Sequence, residues 1–531
     1  MVALPIGWLA TYIGRSSGGT WQHLWETVLA GYVINTFLSA VGVAAGALLV
    51  GVPSAWLVTM HRFPGSRQLR WMLLLPLAIP TYLLAYAATD VLQFSGPVQT
   101  WLRNSMDWSR QDYWFPDTRT LPGAIVILTL GLYPYVYLAT RTALLEQSGC
   151  VLEAARMLGA GSRRSFFRIT LPLIRPSIVA GLSLVMMETM AEFGAMDYCA
   201  VDTLATGIYR TWFSRGSLVA AAQLSMCLLS MIAVILTLET ASRGSAKFHQ
   251  STSRRRTPQP TRMSGWRSVM ALLFCALPVL FGFVLPVVVF AQMSWQSGDA
   301  RAGELLGPLA WHSVKLAALS AAFAVVLATV VAYAGRLQPS VMMKTATRVA
   351  GIGYAIPGGV IAIGVLGVAW WMEEQVNIGL ESLIHWSPGL FISGTIAAVL
   401  IGYQTRFLAV AMGIIISGLA RIRPSLDDAS RVLGSPPRMT LVRVHVPLLR
   451  SSLLSAALLV FVDVLKELPA TLILRPFNHD TLAVRVYQLA SDERLSEAST
   501  AALAIIAAGL IPVIVLSRWM QSKGQGLTNG Q

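Results

Sequence analysis

The chain has 531 residues, of which 55% are hydrophobic and only 12% charged, with a net charge of +15 and a mean hydropathy of +0.61. Water-soluble domains carry about 25% charged residues, so this composition excludes a string of soluble domains and predicts a chain dissolved in lipid. A basic chain could bind nucleic acid, but here Arg and Lys fall mainly in alternate short loops between apolar runs, as on the cytoplasmic side of a membrane protein.

Apolar runs of roughly 20 residues, enough to cross a bilayer, lie near Val33–Met60, Trp71–Leu92, Leu121–Leu144, Ser177–Ala200 and Leu218–Leu238. A second series lies near Val269–Met293, Ser313–Ala334, Val349–Trp371, Gly389–Ser417, Ser452–Leu474 and Ala498–Leu516. The stretch Met1–Ile13 ahead of them is too short to cross roughly 30 Å of hydrocarbon. Either the first span is truncated or the protein starts upstream of Met1; a signal peptide fits poorly, because no basic region precedes the apolar residues. The first basic loop holds Arg62, Arg67 and Arg70, and the third holds Arg156, Arg163, Arg164, Arg168 and Arg175. Between Ala241 and Ser268 lie seven bases, including Arg254, Arg255 and Arg256, and no acid. Loops on the other side carry Asp107, Asp112 and Asp117, or Glu373, Glu374 and Glu381. The positive-inside rule therefore puts the basic set, linker included, in the cytoplasm. The linker fixes topology, and its basic run can also meet anionic lipid.

The chain is two copies of one unit. Ile79-Pro80 recurs 277 positions on as Ile356-Pro357; Gly159, Pro172, Glu188 and Glu192 recur 275 positions on as Gly434, Pro447, Asp463 and Glu467. Asp202-Thr203-Leu204-Ala205 recurs as Asp480-Thr481-Leu482-Ala483. Matching loops are both basic, so the copies are parallel repeats. The fold class expected is an all-α polytopic membrane protein with two repeats of about six spans, the first span of copy one being truncated. Repeat 1 covers 1–240, the cytoplasmic linker 241–268, repeat 2 269–520 and a cytoplasmic tail 521–531.

Each copy has one long basic loop with a shared pattern, within 146–176 and 417–450. Copy one reads Glu153-Ala154-Ala155, three residues, Gly159, nine residues, then Ile169-Thr170-Leu171-Pro172; copy two reads Asp428-Ala429-Ser430, three residues, Gly434, nine residues, then Val444-His445-Val446-Pro447. The physical reading is a short helix, a Gly break and a second helix stopped before Pro. Small residues allow close approach to a partner surface, and the acid can accept its hydrogen bonds.

This pattern resembles the EAA loop of ABC-importer permeases, which implies a type I permease fold and a short coupling helix docked in a groove of a separate, homodimeric ATPase. Copy two departs from the pattern with Asp428 for Glu and Ser430 for Ala, which makes the docking of the two halves unequal. The chain has no GxxxxGK[ST] string and so no P-loop; ATP and Mg²⁺ are expected on the partner, and no cofactor on this chain. Met187-Glu188-Thr189-Met190-Ala191-Glu192-Phe193-Gly194 and Asp463-Val464-Leu465-Lys466-Glu467-Leu468-Pro469-Ala470-Thr471 are similar to strings of the ferric-iron importer permeases. That resemblance implies a periplasmic or lipid-anchored solute-binding protein and an inner-membrane location, with thiamine or a polyamine as alternative solutes.

Glu188 with Glu192, and Asp463 with Glu467, are spaced i, i+4 and are predicted to share a helix face within the membrane. Intramembrane acids line a pathway or a buried network, and four carboxylates offer hard oxygen ligands to a hard cation. Lys466 works against that reading by neutralising part of the cluster, so a translocation path and a structural role weigh equally. A proton-coupled secondary transporter with two parallel halves is the alternative from another class. An enzyme is the least favoured reading. The seven His form no HExxH spacing, and Cys150, Cys199, Cys227 and Cys275 are scattered, so no catalytic or metal residue is assigned.

Overall fold

The computed structural model describes residues 2–146, 165–243, 260–297, 302–338 and 340–525. It is helical almost throughout, apart from a two-residue parallel ladder that pairs His61–Arg62 with Thr261–Arg262 and ties the end of the linker to the first basic loop. Among the described residues, ten helices are long and apolar enough to cross a membrane. An eleventh candidate, Ser66–Ala78 with Thr81–Met106, is bent by 94°.

The spans have one face for protein and one for lipid. In Ala302–Leu337 the buried face is Ala317, Ala321, Ala324, Ala328 and Ala332, while Leu319, Phe323, Val326 and Val330 are exposed. That is one helical stripe of small residues, which lets neighbouring backbones approach closely where lipid tails remove the hydrophobic drive for association.

Four of the predicted spans need correction, because a helix breaks within each of them. Trp71–Leu92 is no single helix: it breaks at Ile79, which is extended (φ −98°, ψ 122°), and restarts after Pro80 at Thr81. Val349–Trp371 breaks in the same way at Ile356 (φ −86°, ψ 127°), so the membrane helix is Gly358–Ile384. A residue before proline is pushed out of the helical region, and proline supplies no N–H to continue the ladder. Ser177–Ala200 and Ser452–Leu474 begin too late and run across a second break. Their helices, Phe166–Ala191 and Pro437–Lys466, end at Glu192 (φ −71°, ψ 120°) and Glu467 (φ −69°, ψ 115°). Short helices, Gly194–Tyr198 and Pro469–Leu474, follow.

The expectation that the loop's second helix stops before Pro172 and Pro447 is also corrected. Both helices run through the proline, because a π-helical turn precedes it: Phe166–Thr170 before Pro172 and Leu441–His445 before Pro447. The same device, Leu280–Val284, precedes Pro286. A wider turn carries the chain past the carbonyl four residues back, which a proline ring would strike and could not bond.

The chain forms two compact units, and these divide it differently from the sequence repeats. One unit comprises Met1–Trp25, Gly207–Leu229 and Asp299–Glu493. In it the nine-residue helix Ala3–Thr11 lies along Gly358–Ile384, with Trp8 stacked over Gly367, where only a residue without Cβ leaves room for the indole. The other unit comprises Glu26–Thr206, Ser230–Gly298 and Arg494–Gln531. There Leu285–Ser297 packs on Leu495–Gln525, and Ser294 and Thr500 share a 3.1 Å hydrogen bond. Each unit thus takes helices from both sequence halves.

Candidate functional site

The copy-two loop is built as helix, glycine, helix. Ser425–Val432 follows Pro424, and Gly434 lies in the left-handed region (φ 72°) before the chain turns into Pro437–Thr440. The short helix is amphipathic in an unusual sense, with its polar residues holding it down. Asp427 is buried and accepts from Arg336 Nε (2.8 Å), with the guanidinium 2.7 Å away, while His445 Nε2 lies 2.6 Å from its other oxygen. Arg336 also donates to the carbonyls of Leu419 and Ile422, and Ser430 shares a hydrogen bond with Thr440 (2.6 Å). Burial acts to raise the Asp427 carboxyl, but the hydrogen bonds from Arg336 and His445 outweigh it and hold it below the ordinary carboxylate value. Opposite this anchored face, Asp428, Ala429, Val432 and Leu433 point outward, the last two 87% and 84% exposed.

Of the predicted coupling residues in copy two, then, Asp428, Ala429 and Gly434 are presented at the surface. Ser430 is turned inward, and Pro447 lies within the long helix Pro437–Lys466, just after its π-helical turn. In copy one, Pro172 occupies the matching place in Leu171–Ala191, while Glu153, Ala154, Ala155 and Gly159 lie outside the described residues. Sequence reasoning missed Asp427, Arg336 and His445. The available signal was that Asp427 and Ser430 sit i, i+3 and so share a face distinct from that of Asp428. The copy-one equivalents of Asp427 and His445, 275 positions earlier, are Leu152 and Thr170, so this charged tie belongs to copy two.

The four intramembrane acids do not form two helix-face pairs. Glu188 and Asp463 remain on their helices, both half-buried, but Glu192 and Glu467 stand past the helix ends in extended backbone. There each caps the short helix that follows: Glu192 Oε1 accepts from the Ala195 N–H (2.9 Å), and Glu467 Oε1 from that of Ala470 (3.2 Å). Each also meets the residue after the proline break of its own unit. Thr81 donates its hydroxyl to Glu192. In copy two that position is Gly358, where a Cβ would overlap Glu467 Oε1 and stand 2.9 Å from Arg406 NH1. The space is taken by Arg406, which donates to both Glu467 oxygens (3.0 and 2.8 Å) with both side chains under 10% exposed. The residue 275 positions before Arg406 is Gly131, and a Cβ there would press on Thr81 Cγ2 at 3.1 Å. The two copies satisfy one buried carboxylate in two ways, with Thr and Gly in one and Gly and Arg in the other. Lys466, beside Glu467 in sequence, instead reaches Asp463 (3.5 Å). Arg406 was legible as a lone cation in an apolar run. Among the described residues no three His, Cys, Asp or Glu side chains lie close enough together to hold a metal ion.

The family model described as the binding-protein-dependent transport system inner membrane component matches residues 47–242 and again 324–523. The chain belongs to this family. It is a multi-pass inner-membrane protein and a permease subunit of an ABC importer, with the family's domain present twice. This sets aside the proton-coupled alternative. The Fe(3+)-transport system permease protein FbpB 2 of Haemophilus influenzae is 24% identical over 94% of this chain and 92% of its own length. The sulfate transport system permease protein CysT of Escherichia coli is 29% identical, over 38% of this chain and 70% of its own. The molybdenum transport system permease protein ModB of Escherichia coli is 31% identical, over 32% of this chain and 69% of its own.

Proposed function

We propose that this permease carries ferric iron. The observation that supports it is the extent of the likeness: the ferric relative matches the chain nearly end to end, the sulfate and molybdenum relatives only about a third of it. In this reading a solute-binding protein delivers iron on the extracytoplasmic side, and a separate ATPase, holding ATP and Mg²⁺, supplies the work.

The outward face of Ser425–Val432 is the ATPase-docking surface, with Asp428 accepting hydrogen bonds and Val432 and Leu433 burying apolar area. The Asp427 tie to Arg336 and His445 passes movement of that helix to Ala302–Leu337 and Val446–Lys466 rather than letting it swing alone. The Glu153 loop plays the matching part in copy one. Glu188 and Asp463 are the acids placed along the path; Glu192 and Glu467 hold its broken helices.

The test is uptake into vesicles that contain the permease, its ATPase and its loaded binding protein, with radiolabelled ferric iron, sulfate and molybdate compared. ATP-dependent uptake of iron alone is expected. Uptake of either oxyanion without iron would overturn the reading.

A further inference from the structure

A cleft of about 490 Å³ opens in the Glu26–Thr206 unit, at the end of Leu121–Glu146 away from the EAA loop and hence on the acidic, extracytoplasmic side. Its size falls within the range of small-molecule sites. Arg110 and Arg119 line it together with Asp117, Gln93, Thr89 and Thr118. Both guanidiniums are held by their faces, Arg110 over Phe94 (5.2 Å) and Arg119 over Tyr198 (5.1 Å). A stacked guanidinium keeps its N–H edge for a planar acceptor; Arg119 gives part of that edge to the Tyr198 side chain, and among the described residues neither arginine forms an ion pair. Arg103, behind the wall, is already spent on the Phe94 carbonyl and the Tyr113 hydroxyl.

Thr89 and Thr118 border the same cleft as buried residues, 1% and 8% exposed, with their hydroxyl oxygens closed off from it. Asp117 narrows the class. One of its oxygens accepts from the Arg119 backbone N–H (2.9 Å), and its charge opposes a bare oxyanion while welcoming a hydroxyl donor. Phe94, Tyr113 and Trp114 supply apolar wall for a carbon skeleton.

We infer that this cleft binds a small hydroxycarboxylate anion, its carboxylates on Arg110 and Arg119 and its hydroxyl on Asp117. No step of the transport assigned above uses the site, and the inference does not rest on the identity of the cargo.

The experiment is equilibrium binding of radiolabelled citrate to the purified permease–ATPase complex, in the absence of iron and of the binding protein. Saturable binding is expected, weakened about tenfold by Arg110→Gln or Arg119→Gln, the loss of one charge-assisted contact. Tricarballylate, which is citrate without its hydroxyl, should bind several-fold more weakly, and Arg110→Gln should keep the wild-type thermal midpoint. Arg119 supports Tyr198, so Arg110→Gln, which loses only an aromatic contact at the surface, is the deciding variant if Arg119→Gln fails to fold. No saturable binding up to about 1 mM, the weak end of specific affinity, would overturn the inference. So would binding indifferent to both arginines, or displacement by sulfate or phosphate at lower concentration than by citrate.

Discussion

Replacing Arg406 by glycine removes the only cation within bonding distance of the Glu467 carboxylate among the described residues and leaves that group buried. Breaking a buried pair from one side costs about 3–5 kcal/mol, and glycine within the Ile396–Leu419 helix adds about 1 kcal/mol. For a unit of this size each kcal/mol moves the thermal midpoint by about 2–4 °C, so Arg406→Gly should lower it by on the order of 10 °C. Gly358→Thr alone should also destabilise, because its Cβ overlaps Glu467 Oε1; overpacking of this kind costs about 1–3 kcal/mol. The double variant rebuilds the arrangement of copy one, where Thr81 bonds Glu192 beside Gly131. It should therefore be more stable than Arg406→Gly alone, with a coupling of about 1–3 kcal/mol between the sites. The assay is thermal unfolding of the four proteins in one detergent, read with a thiol-reactive dye and by loss of monodisperse protein. If the double variant loses at least the sum of the two single losses, the two copies do not satisfy their carboxylates interchangeably and the reasoning fails.

The coupling helix offers a contrast between neighbours. Asp427→Ala should destabilise by about 2–4 kcal/mol, since it strands Arg336 and His445, whereas Asp428→Ala should leave the midpoint unchanged and reduce ATPase co-purification. Equal effects of the two would refute the division of faces. Because the Asp427 carboxyl is held below its unfolded value of about 3.9, its contribution is fully present above that value and is lost as pH falls through the folded value. The stability gap between wild type and Asp427→Ala should therefore be flat near neutrality and close only below about pH 4; a gap already closed well above pH 4 would refute this. Gly434→Val meets open space but must adopt φ 72°, a strain of about 1–2 kcal/mol, so transport should uncouple from hydrolysis with little loss of fold, and coupled transport at the wild-type ratio would count against it. A reporter fused at Arg255 should read cytoplasmic and one at Glu374 extracytoplasmic; the reverse at either site would break the parallel-repeat topology.

Composition, loop charge and the 275-residue repeat determined the class of this protein, its polytopic all-α fold and its permease family, because lipid imposes span length and charge placement residue by residue. The EAA-like strings were legible for the same local reason: small residues and glycine at fixed spacing describe one short segment. The tertiary structure decided what periodicity cannot carry. Glu188 and Glu192 look like one face only if the helix continues, and it ends between them, where Glu192 turns to cap Gly194–Tyr198 and meet Thr81, 111 residues away. Which acid of Asp427-Asp428 faces the bundle depends on where Arg336 and His445 arrive, 91 and 18 residues distant. The compact units, too, draw helices from both halves of the chain, since burial of a helix face is settled by whichever neighbour fits it in space and not by the neighbour next along the sequence.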